Sequence, residues 1–259
     1  MRTALALICL SGTLVLAQTK HPGAKPPDAK LAEQTAAPEA YPVWWDPDLG
    51  LDKIEDADAL LSKPFDENDI EHLRENAGSI SSGQHQPDVH NCKELLAVID
   101  PDDYRSLNRV NEWGLIGVRC AEIKALSHVI PARHSAVRND KWTNELFSQL
   151  PAAIAFADGE KSHWEAIQAE KKGLSLSQYW RGKGRHGFQI DEQVLLLGTN
   201  GQCDDSYHIV ARGDFTGDGW EDLLIEGGGS STPHRDYYSA YLLTRKSANE
   251  RFKIVKTIF

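Results

Sequence analysis

The 259 residues carry 28 Lys and Arg against 38 Asp and Glu, a net charge of −10 with histidine neutral. That balance excludes a polyanion binder of the nucleic-acid or anionic-membrane kind and leaves cationic proteins and metal ions as partners. With 41% of the residues apolar, the chain has the material for a buried core.

The chain opens with MRTALALICLSGTLVLAQ. One arginine, an apolar run and small or apolar residues at Val15 and Ala17 ahead of Gln18 form the three-part pattern of a secretory signal peptide over residues 1–17. Read as an anchor, the run falls short of the roughly 20 apolar residues that span a bilayer. Ile8 before Cys9 does not make a lipid-attachment motif. The expectation is a periplasmic or secreted protein with no transmembrane segment after signal cleavage. Residues 18–40 are rich in Pro, Ala, Lys and Glu and hold one leucine and no aromatic ring until Tyr41. They bury too little surface to order themselves and read as a disordered tether.

The folded body begins at YPVWWDP, residues 41–47. From 41 to 180 the periodicity is mainly helical. DKIEDADALLSK and DENDIEHLRENAG carry apolar residues at helical spacing, the second with Asp66 as N-cap and Gly78 as stop. CKELLAVID continues the pattern, and so does YRSLNRVNEWGLIGVRCAEIKALSHVI, where Gly114 and Gly117 mark either a break or a close approach. NDKWTNELFSQLPAAIAFA, stopped at Pro151, and SHWEAIQAEKKG add two short helices. In an oxidising compartment the mature chain keeps Cys92, Cys120 and Cys203, and the first two share this helical region, which favours them as the pair.

From 185 to 259 the period changes. FQIDEQVLLLG, SYHIVARGDF, DLLIEGG, YYSAYLLTR and RFKIVKTIF are short, apolar and β-branched or aromatic, and TNGQ, GDG, GGGSSTP and SANE between them have turn compositions. The fold expected is α+β, with a helical N-terminal region followed by a small antiparallel meander.

Inside the meander lies GDFTGDGWEDLLI, residues 213–225, where negative charge is crowded in an already acidic chain. Like charges two to four residues apart repel, so a cation is the economical partner. Counting from Asp214, oxygen donors recur at Asp214, Thr216, Asp218, the Trp220 carbonyl and Asp222, with Gly219 at the sixth position where a calcium loop turns sharply. The twelfth position is Ile225, not Glu, and a strand follows, so the loop is not a helix-loop-helix EF-hand. Strand, GDFTGDGWEDL, strand resembles the calcium loop of FG-GAP and VCBS repeats of secreted proteins. Asp214, Asp218, Gly219, Asp222 and Leu223 match that pattern, and Thr216 departs from its Asp or Asn. The resemblance implies one bound Ca2+ acting as a staple. It occurs once, so no full propeller is implied.

Other constellations carry less. His85 and His90, and His128 and His134, have spacings of neither a helical i, i+4 pair nor a zinc-protease motif. GSISSG at 78–83 lacks a nucleophile elbow. Asp204 and Asp205 beside Cys203 oppose a thiolate. GKGRHGF at 182–188 reads as a connecting loop, and YPVWW either as core or as a partner patch. The function expected is a non-enzymatic binding protein with a structural calcium site and a basic protein partner, in its most specific form an inhibitor or immunity protein against a cell-wall-degrading enzyme. The alternative is a cell-envelope hydrolase with dispersed catalytic carboxylates.

Overall fold

The computed structural model describes residues 40–66, 89–98, 116–137, 143–155, 160–189, 194–199, 202–232 and 235–258. The signal segment, the tether before residue 40, the helix read after Asp66, the GSISSG run, His85 and Gly114 lie outside these residues.

Seven strands form one sheet: β1 (Trp44–Trp45), β2 (His186–Gln189), β3 (Val194–Thr199), β4 (Gln202–Gly213), β5 (Asp222–Thr232), β6 (Arg235–Thr244) and β7 (Lys253–Thr257). From β2 to β7 the order follows the chain and each neighbour is antiparallel, the meander that short connections dictate. β4 is long enough to take two partners on one edge. β3 pairs with it as far as His208, and β1 takes over at Ala211 and Arg212.

The YPVWW stretch is therefore part of the sheet. Trp45 Nε1 donates to the Leu51 carbonyl at 3.0 Å, and Trp44 lies under the Arg212 guanidinium at 5.6 Å. Asp46 fixes the exit from β1: its N–H donates to the Val210 carbonyl at 2.8 Å, and its carboxylate meets His208 Nε2 at 2.9 Å. It also accepts the Asp48 N–H at 2.8 Å, capping a short 3-10 turn at Pro47–Leu49.

The helices are α1 (Ala57–Ser62), α2 (Cys92–Val98), α3 (116–126), α4 (Asn144–Gln149), α5 (Glu160–Lys171) and α6 (Leu176–Gly182). They cover both faces of the sheet. Leu223, Leu224 and Ile225 are all wholly buried, the continuous apolar run that a strand covered on both sides requires. Leu223 and Ile225 join Tyr207, Ile209, Leu243 and Phe252 against α4, α5 and α6. Leu224, Val210 and Ala211 pack instead against α1, α2 and α3, and Ala240 of β6 meets Val118 and Ala121 of α3. The short helices on either side of the sheet make three layers.

Local rules explain the helix ends. Thr143 Oγ1 accepts the Leu146 N–H and starts α4, and the chain turns extended at Leu150 before Pro151. Ser175 and Gln178 form a reciprocal capping box that starts α6, a helix whose S-x-x-Q signal stands in the sequence. Gly173, at φ 76°, lets the chain leave α5. Gly117 lies within the described part of α3 and is buried. At its middle Cys120 is joined to Cys92 of α2, with Cα atoms 5.2 Å apart, which establishes the favoured pairing. At the centre of the other face, the wholly buried Tyr207 hydroxyl donates to the Ile154 carbonyl at 3.2 Å and accepts Trp180 Nε1 at 3.4 Å.

The strand read at DLLIEGG runs on through the overlapping stretch of turn composition. Gly227, Gly228 and Gly229 of the GGGSSTP stretch lie inside β5, paired with Tyr207, Ser206 and Asp205 on one side and Ser239, Tyr238 and Tyr237 on the other. Hydrogen bonds on both edges outweigh the weak intrinsic strand preference of glycine. The GKGRHGF stretch is part turn and part β2, and its basic side chains are used within the protein. Lys183 pairs with Glu165 at 2.6 Å, while Arg185 pairs with Asp205 and lies 4.6 Å over the Trp180 ring.

Candidate metal-binding loop

The loop from 214 to 221 connects β4 to β5 and is held at its base by the chain that follows α3. Asp214 and Ile130 exchange both backbone hydrogen bonds, at 2.9 and 3.1 Å. Residue 213 has to be glycine for the two chains to come this close: a Cβ there would lie 2.5 Å from Val129 Cγ2 and 3.3 Å from Val43 Cγ2. The far side is held as well. The Gly219 carbonyl accepts the N–H groups of Arg133 and His134, both at 2.9 Å, and the Glu221 N–H donates to the His134 carbonyl at 2.8 Å. Ser135 Oγ donates to the Glu221 carboxylate, and the rings of His134 and Trp220 lie 5.1 Å apart.

Inside this frame the aspartates organise the backbone. Asp214 Oδ1 accepts the N–H groups of Gly217 at 2.7 Å and Asp218 at 3.2 Å, and its Oδ2 accepts that of Gly219 at 2.7 Å. Wrapping three N–H groups around one carboxylate needs left-handed backbone, supplied by Gly217 at φ 74° and Gly219 at φ 87°. The Thr216 hydroxyl donates to Asp214 Oδ1 at 3.4 Å. Asp218 Oδ1 accepts the Trp220 N–H at 2.9 Å, and Asp222 Oδ2 accepts that of Phe215 at 3.1 Å.

The three carboxylates differ in environment. Asp214 and Asp222 are buried, Asp222 completely. Burial pushes the Asp222 carboxyl up to about 6, and the charge of Asp218 adds to the rise, against weaker opposing contributions from the Thr244 hydroxyl, the Phe215 N–H and Thr216. Asp222 Oδ1 and the buried Oγ1 of Thr244 on the adjoining strand each lack a hydrogen bond of good geometry, although the Thr244 hydroxyl lies near enough to the carboxyl to oppose its rise. Asp218 is nearer solvent. Its slight burial acts to raise its carboxyl, but Lys246, whose Nζ lies 2.9 Å from Oδ2, and the Trp220 N–H outweigh that and hold it below the usual range.

Sequence position alone brings Asp214, Thr216, Asp218, Trp220 and Asp222 into one loop, and the structure adds the orientation of their side chains. The donor set is all oxygen, as a hard cation requires, and the poorly bonded Asp222 Oδ1 gives such a cation a waiting acceptor. The side chains as placed are engaged with N–H groups and with Lys246, and among the described residues no three His, Cys, Asp or Glu groups converge as a metal cluster. Lys246 is the participant that sequence reading missed. It stands 28 positions from Asp218 and reaches the loop only because β6 returns the chain there.

The other candidates separate. His90 sits exposed at the start of α2, with Nδ1 3.1 Å from Glu94 Oε2. His134 is part of the loop's frame and His128 is exposed in the turn just after α3. The Cys203 backbone lies in β4, opposite Gly198. No helix among the described residues is long and apolar enough to cross a membrane. Comparison with family models, with curated proteins and with solved structures returns no match to this chain.

Proposed function

We propose that this chain is a periplasmic or secreted binding protein, with no chemistry of its own, whose 214–222 loop takes one calcium ion as a structural staple. Asp214, Asp218 and Asp222, the Thr216 hydroxyl and the Trp220 carbonyl would hold the ion, and its charge would neutralise carboxylates that otherwise repel one another. The observation that carries this reading is the complete burial of Asp222 with Oδ1 making no hydrogen bond of good geometry, since a buried carboxylate oxygen is costly until something cationic or protic meets it squarely. The resemblance to FG-GAP and VCBS loops supports the same choice of ion.

The binding partner is a basic protein, matched to a net charge of −10. The most specific form of this reading is an inhibitor or immunity protein acting on a basic cell-wall-degrading enzyme. The test is to titrate the mature protein into a panel of basic muramidases at low and high salt, while assaying it for hydrolysis of peptidoglycan, ester and peptide substrates. Binding to a muramidase that weakens at least tenfold as salt rises, with loss of that enzyme's activity and no turnover by the protein itself, is the expected result. Turnover abolished by a single carboxylate change would replace this reading with the hydrolase.

A further inference from the structure

We propose that the outer face of α5 is a docking groove for an extended acidic peptide segment of a partner protein, a site separate from the metal-binding loop. An open groove of about 590 Å³ runs along this helix over Trp164, Ala169 and Leu174. Trp164 is 52% exposed and Leu174 37%, so two large apolar side chains that line this groove are open to water and belong to none of the buried clusters. An indole so placed is the kind of anchor on which a partner's apolar side chain gains most.

The charges around it choose the partner. The carboxylates of α5 that the structure describes are already engaged: Glu165 with Lys183 at 2.6 Å, and Glu170 with the Ala152 N–H. Lys161 and Lys172, which line the two ends of the groove, have no carboxylate partner among the described residues. Arg251 adds positive charge close by, with Nη1 2.7 Å from the Gly173 carbonyl next to Leu174. A chain of net charge −10 thus presents a local basic rim around an apolar floor.

Spacing sets the ligand's form. Lys161 and Lys172 are eleven residues and three helical turns apart, so they lie on one face about 16 Å from each other along the axis. That is too far for one carboxylate to bridge, but a five-residue extended segment, whose first and last residues stand about 13 Å apart at about 3.3 Å per step, comes close enough for the flexible lysine side chains to reach both ends. The sequence that fits has an acidic residue at each end and a large apolar residue between them. Charge at the ends steers the segment into register and the central side chain stacks on Trp164.

The probe is the peptide acetyl-Asp-Ser-Phe-Ser-Asp-amide, with a control in which both aspartates are lysines. The readout is the Trp164 indole N–H resonance, assigned as the one missing from Trp164→Phe. The acidic peptide is expected to shift that resonance saturably with Kd below about 1 mM, a range typical of weak segment docking. Changing Lys161→Gln together with Lys172→Gln should weaken binding about tenfold and leave the melting temperature unchanged, because both side chains are exposed. The proposal is overturned if no shift occurs, or if the lysine peptide binds equally well. A shift that depends on protein concentration without any peptide would also overturn it, making the groove an interface between copies of this chain.

Discussion

Replacing Arg245 with leucine is expected to destabilise the protein by about 3–5 kcal/mol, since buried hydrogen bonds from a charged donor contribute about 1.5–3 kcal/mol each and a stranded acceptor adds its own cost. Arg245, the residue after β6, is 5% exposed. Nε and Nη2 both donate to the Ala136 carbonyl, at 3.1 and 2.8 Å, Nη1 donates to the Gln149 side chain, and the plane packs 4.4 Å over the Phe252 ring. One side chain therefore ties together the sheet, α4 and the segment that frames the 214–221 loop. The next residue, Lys246, faces the other way and meets Asp218, so loss of Arg245 should also loosen the loop. Arg245→Lys keeps the charge but lacks the forked donor geometry and should recover only part of the stability. Urea unfolding measures both. A loss under about 1 kcal/mol in the leucine variant would show that the site relaxes around the missing group.

Removing the Cys92–Cys120 bridge, as a double alanine variant or by reduction, is expected to cost about 3–4 kcal/mol, from the chain entropy released when a loop of this length is no longer closed. The two cysteines are 28 positions apart and buried, and they fasten α2 to α3 on the second face of the sheet. The wild-type protein should lose stability in reductant, and the double variant should be indifferent to it. Equal stability of the wild type with and without reductant, once thiol titration shows the bridge open, would mean that packing alone holds that face.

Much of this architecture stands in the sequence where the physics is local. Leu223, Leu224 and Ile225 read as a strand because a short apolar run after an Asp-Gly turn has few other uses. Asp214, Gly217 and Gly219 read as a tight loop because a carboxylate and two flexible residues at that spacing wrap the backbone. The sequence pattern places no helix at α6, because a seven-residue helix is too short to show its period, and only the capping pair Ser175 and Gln178 marks its start. What was not legible depends on partners far along the chain. Gly227 to Gly229 carry a turn composition and become strand because β4 and β6 flank them. Trp44 and Trp45 look alike whether buried or exposed, and only the unfilled edge of β4 decides their place. The engagement of Asp218 by Lys246 has no local sign, because β6 has to return before the two can meet.

That pairing gives the calcium reading its sharpest consequence. Calcium on the loop has to compete with the Lys246 ammonium for Asp218, and it gains the poorly bonded oxygen of Asp222. The most direct measurement is thermal unfolding of the protein in EDTA and in millimolar calcium, beside Asp218→Ala. A hundredfold excess of calcium over its Kd stabilises the folded state by about 2.7 kcal/mol. For a body of this size that is a rise in melting temperature of about 5–10 °C, and the variant should lose most of it. Identical melting of the wild type in EDTA and in calcium would contradict the account and leave the three aspartates as a turn held by its own N–H groups and by Lys246.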